Sequence, residues 1–130
     1  MSAPDLQGSR DGRPLVAVVC SVPLLGEAVS AALDFAEVRT FAEDRGDVVG
    51  LLRSVRPDAV VVDSDDAAAE AASVAREQGV PVLHIAVRDE VLRVFRDGAW
   101  ERVKGDEGPT PEALRNVLAG ALFARGGVAR

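Results

Sequence analysis

The sequence predicts an α/β fold of five β-α repeats, a doubly wound five-stranded parallel sheet with helices on both faces. Three observations predict it. Continuous apolar runs rich in β-branched residues recur at 15–20, 59–62 and 80–87, as strands buried on both faces require. Segments with apolar residues at helical spacing alternate with those runs. Gly or Pro closes the helical segments at Pro57, Gly79 and Gly98, where neither residue continues a helix easily. A length of 130 residues suits one domain and buries enough surface for a core without staples.

Each element follows in order. Residues 1–13 are polar and rich in Gly, Ser, Asp and Pro, and read as a flexible leader. The run 14–21, PLVAVVCS, is the first strand. In 22–35 the residues Leu25, Ala28, Val29 and Ala32, continued by Ala36, keep helical spacing, and Pro23 suits a first turn, where its missing N–H costs nothing. Residues 36–43 form a weaker second strand with Val38, Thr40 and Ala42 alternating. Residues 47–57 are a short helix with Asp44 or Asp47 as cap and Pro57 as stop. The third strand, 58–64, ends in Asp63, and the Ala-rich stretch 67–78 has high helix propensity. Residues 80–87 are the fourth strand, 88–98 a fourth helix stopped by Gly98, and 99–103, AWERV, a short fifth strand. The clearest helix is 110–126: Thr110 caps it, Pro111 opens it, and Leu114, Val117, Leu118, Ala121 and Leu122 form one stripe. The domain is thus expected over 14–124, with a flexible tail over 125–130.

Charge and cysteine content exclude several classes. The net charge is −6 and the Arg residues are scattered among Asp and Glu. That argues against a nucleic-acid surface, which needs clustered cations. With a single Cys no internal disulfide forms. The first residues lack the apolar core of a signal peptide, and no apolar run approaches the ~18 residues of a membrane span. The expectation is a cytoplasmic protein with no membrane and no nucleic-acid partner. Phosphate-binding Gly motifs of dinucleotide and nucleotide sites are absent from the sequence, so no cofactor and no identified small-molecule ligand is expected.

In an open parallel sheet, chemistry sits beyond the carboxyl ends of the strands. The residues there are Cys20 and Ser21, Asp63 to Asp66, Ala86 and Val87, and Lys104 and Gly105. Four stretches, VVCSVPLLGEAV, LLRSVRPDAVVVDS, PVLHIAV and TPEALRNVL, taken in this order over 14–124, resemble the response-regulator receiver family. The resemblance implies a receiver-like, flavodoxin-like (βα)5 fold with Asp63 at the phosphoacceptor position. It also implies a magnesium site of two carboxylates after the first strand, a Thr or Ser after the fourth and a Lys after the fifth. Here Cys20 and Ser21 stand in place of the acidic pair and Ala86 in place of the hydroxyl. Lys104 is one residue from the Lys position. Neutral Cys and Ser do not suit a hard divalent cation, so the chain resembles a degenerate pseudo-receiver with no catalytic residue and no metal.

Other readings attach to the same residues. Asp63 is either a residual phosphoacceptor or an acidic residue capping the following helix. Asp63, Asp65 and Asp66 are a weak cation site or a solvated acidic loop. Cys20, after a first strand, is compatible with a phosphocarrier or phosphatase-like enzyme. Such a site needs a loop of backbone N–H groups around the anion, and CSVPLLGE offers Pro and bulky Leu instead. His84 is a proton shuttle or a core histidine. The favoured expectation is a stand-alone signalling or regulatory module acting through protein–protein contact, with a protein partner or with itself as a homodimer; a piece of a longer regulator is the third reading. The candidate interface is Leu92, Val94, Phe95 and Trp100 with Ala119 and Phe123, because the 88–98 segment is apolar over a wide arc.

Overall fold

A computed structural model describes residues 14–42, 47–86, 91–103 and 110–128, the side chains of Pro23 and of 123–128 excepted. The expected leader therefore lies outside the described residues. The elements are β1 (Leu15–Cys20), α1 (Pro23–Ala32), β2 (Glu37–Ala42), α2 (Val48–Val55), β3 (Ala59–Val62), α3 (Asp65–Gln78), β4 (Val82–Ala86), β5 (Val91–Arg96), β6 (Ala99–Arg102) and α4 (Pro111–Val128).

The strands form one six-stranded sheet in the order β2-β1-β3-β4-β5-β6. Pairs β1–β2, β1–β3 and β3–β4 are parallel; β4–β5 and β5–β6 are antiparallel. This corrects the expected five-stranded, all-parallel flavodoxin-like sheet. The first four strands and three helices alternate as expected, but the fourth helix expected over 88–98 does not form. Its apolar residues make β5, and a two-residue turn at Asp97 and Gly98 returns the chain as β6.

The local reasons are legible. Asp97 and Gly98 both adopt positive φ, 57° and 82°, the pattern of a type I′ turn, whose twist matches that of paired strands and which favours Asp-Gly. Val91, Val94 and Phe95 are better strand formers than helix formers. β1 and β3 are buried along their whole length, as the continuous apolar runs require.

Three of the helices start on side-chain caps. Asp47 accepts a hydrogen bond from Gly50 N at 2.9 Å and starts α2; Asp44 lies outside the described residues. Ser64 Oγ accepts from Ala67 N at 3.0 Å and starts α3. Thr110 Oγ1 accepts from Ala113 N at 3.1 Å at the start of α4. Gly79, at φ 71°, ends α3 in the left-handed conformation that favours glycine. α4 runs on to Val128, into the residues expected as a tail.

Two apolar layers flank the sheet. On one face Val16, Val18, Cys20, Val61, Leu83, Ile85, Leu92 and Val94 pack against Val29 of α1, Leu33 just after it, and Leu114, Leu118 and Leu122 of α4. On the other, Ala17, Val19, Val60, Val62, Val82 and Phe95 pack against Val48 and Leu52 of α2 and the alanines of α3. An ion pair of 2.6 Å between Arg53 and Glu77 ties α2 to α3.

Candidate functional site

The carboxyl ends of β1 and β3 bring Cys20, Ser21 and Asp63 together. Val19 lies beside Val62 in the parallel pair, so the residues that follow each strand meet at its end. The Asp63 carboxylate accepts from Ser21 N at 2.9 and 3.0 Å, from Ser21 Oγ at 3.1 Å and from Val22 N at 3.4 Å. Val22, which precedes α1, offers no side-chain cap, and Pro23 opens the helix. Asp63 thus places its negative charge at the amino end of α1, where the helix dipole favours an anion. The expectation of a cap on the following helix is corrected in one respect: Ser64 caps α3, and Asp63 serves the start of α1.

Cys20 is buried on the α1 side of the sheet. A Cβ at Gly26 would stand 3.1 Å from Cys20 Sγ and 3.3 Å from Thr40 Cγ2, so α1 lies directly on the thiol. Asp65 and Asp66 belong to the first turn of α3. Among the described residues no three His, Cys, Asp or Glu side chains gather where they could hold a metal ion.

The remaining expected members are Ala86 and Lys104. Ala86 shares the α3 face with His84, whereas the Asp63 carboxylate turns to the entrance of α1. Lys104, with Val87 and Gly105, lies outside the described residues. The end of β6 stands three strand positions from β3, about 14 Å at the usual strand spacing. The expected parallel order would have left two positions, so inserting β5 carries the strand that leads to Lys104 away from Asp63.

His84 is 4% exposed. Its Nε2 lies 3.5 Å from Asp65 Oδ1, and its ring meets Trp100 edge-on with centroids 6.0 Å apart. Leu92, Val94 and Phe95 are taken up by the protein's own two layers. Ala119 is half-buried on α4, and the Phe123 side chain lies outside the described ones. Of the residues expected at an interface, Trp100 reaches solvent, at 37% exposure.

Two surface features went unread in the sequence. The entrance of α1 exposes Leu24 (72%) and Val22 (51%) beside Asp63. At the far end of the sheet an open groove of about 770 Å³ is lined by Arg76, Gly79, Phe95, Arg96, Asp97 and Glu101, among others. There Arg76 sits 5.6 Å over the Phe95 ring, and Arg96 lies 3.5 Å from Glu101. The first strand of the hairpin that forms this groove falls within the segment expected as a helix, which hides the groove from the sequence. Among the described residues no helix is long and apolar enough to cross a membrane. Compared with known proteins, the chain matches no family model, no curated protein and no solved structure.

Proposed function

We propose that the chain is a receiver-like regulatory module that acts through protein–protein contact, without magnesium-dependent phosphotransfer. The resemblance to receivers rests on the four stretches between residues 14 and 124 and on Asp63. The observation that carries the reading is the engagement of Asp63. Both carboxylate oxygens are held by Ser21 and Val22, so an attacking lone pair would first have to leave donors that stabilise it. A phosphoryl group approaching that carboxylate meets like charge, and Cys20 and Ser21 supply no carboxylates to hold an offsetting cation. Leu24, Val22 and Trp100 at the surface support contact with a protein, since exposed large apolar side chains are what such contacts bury.

The test is an amide NMR titration of the full chain. Magnesium with beryllofluoride is expected to leave the resonances of Ser21, Val22 and Asp63 where they are. Saturable shifts of those resonances at millimolar magnesium would overturn the reading.

A further inference from the structure

The face of β5 and β6 that lies on the α3 side carries two arginines that no acidic side chain among the described residues pairs with. Two ranks of side chains cross the sheet in register. One runs Val60, Val82, Phe95, Trp100; the other runs Val62, His84, Arg93, Arg102. Both begin in the layer beneath α3 and end on the exposed edge strand β6. In the second rank two arginines stand directly opposite each other, with His84 behind them. Like charges directly opposite in an antiparallel pair are destabilising. Among the described residues neither Arg93 nor Arg102 has an ion-pair partner, on a chain whose net charge is −6.

The backbone of Trp100 and Arg102 on the edge strand is also open among the described residues. Val103 N donates to Leu92 O at 2.8 Å, which makes Leu92 and Val103 a hydrogen-bonded pair. Antiparallel pairs alternate, so Arg93–Arg102 and Phe95–Trp100 are the non-bonded pairs, the ones whose side chains stand closer. The N–H and C=O groups of Trp100 and Arg102 therefore point away from β5, to the free edge. An edge guarded against association needs one exposed charge. A second arginine, half-buried behind it, adds repulsion without adding to the guard.

We propose that the outer edge of β6 is a docking strand for an extended acidic segment of a partner protein, recognised by the free backbone of Trp100 and Arg102 and by the Arg93–Arg102 pair. The inference rests on the protein-contact reading. A segment added to a sheet edge gains main-chain hydrogen bonds and takes its specificity from alternate side chains. Opposite Arg102 it would set a carboxylate, and two positions along, opposite Trp100, an apolar or aromatic residue. A second copy of this chain does not meet the demand. In a two-fold antiparallel pairing, the outward groups of Trp100 and Arg102 must face each other's counterparts. Among the described residues Arg102 then lies opposite Arg102, Trp100 or Gly98, none of them a carboxylate.

The test uses the full chain and a displayed library of random linear peptides. The enriched peptides are expected to carry Asp or Glu two positions from an apolar residue. A synthetic peptide of that pattern should shift the amides of Trp100 and Arg102 and bind more weakly as salt rises. Arg102→Glu should cost about tenfold in affinity and should restore binding to the twin peptide with Lys in place of the acid. Trp100→Ala should weaken both. A twin N-methylated on alternate amides should not bind, which separates strand addition from simple charge attraction. Circular dichroism and the urea midpoint check that the exposed Arg102→Glu variant is folded. No enrichment, enrichment of basic peptides, or binding indifferent to Arg102→Glu and Trp100→Ala would overturn the proposal. So would a doubling of mass in light scattering that Arg102→Glu abolishes, since a second copy would then be the occupant. A failed selection beside a silent magnesium titration ends this inference alone; magnesium-dependent shifts end the reading beneath it and leave the peptide result standing.

Discussion

With its two carboxylate oxygens facing Ser21 and Val22, Asp63 joins the end of β3 to the start of α1, across 42 positions of sequence. Asp63→Ala removes an anion from a helix start that has no side-chain cap of its own. The expected loss is about 1–2 kcal/mol, read as a lower urea midpoint. Asp63→Asn, which keeps one acceptor oxygen, should lose less. An unchanged midpoint in Asp63→Ala would mean that water replaces the carboxylate at no cost. The position of Asp63 at a strand end was legible in the sequence, because the apolar run before it is unbroken. Its partners were not, because they come from a loop that meets Asp63 only through the β1–β3 pairing. The caps show the same division. Thr110 could be read beside the Pro111 that follows it, whereas Ser64 stood unnoticed among three aspartates.

Among the elements, β5 shows where pattern reading runs out. Val91, Leu92, Val94 and Phe95 satisfy a helical stripe. They satisfy a strand covered on both faces as well: Leu92 and Val94 enter one layer and Phe95 the other. Periodicity cannot separate these cases for a short apolar run. The Asp97-Gly98 pair is the deciding signal; Gly98 taken alone fits a helix stop equally well. Gly98→Ala should cost about 1–2 kcal/mol, because φ of 82° is unfavourable for a side chain. Gly120→Ala is the matching control. Gly120 is exposed within α4 and a Cβ there meets nothing within 4 Å, so the change should add up to about 1 kcal/mol. Equal effects of the two in urea denaturation would remove the turn assignment.

For the molecule as a whole, β3 is the keel: it lies between β1 and β4 and is buried along its length. Val61 sits at its centre, and Val61→Ala should cost about 1–3 kcal/mol through lost burial and a residual cavity, measured as a fall in the denaturant midpoint. Val38→Ala, on the edge strand β2 and only half-buried, should cost clearly less. The parallel core of the sheet and its two helical layers were legible because continuous apolar strands leave few other architectures. The antiparallel third was not, since strand direction is set by the length of a connection and not by the strand's own residues. That difference in connection has a consequence in time. Val16 must find Ala59, while Arg96 pairs with Ala99 across a two-residue turn. Closing a long loop is the slow part of pairing, and a hairpin forms in about 1–10 μs. The β5–β6 ribbon should therefore be paired before the parallel strands, and the Gly98→Ala loss should appear as slower folding more than as faster unfolding. The strand left open in the finished sheet would then be among the first to form, carrying a bare edge from the start of folding to its end.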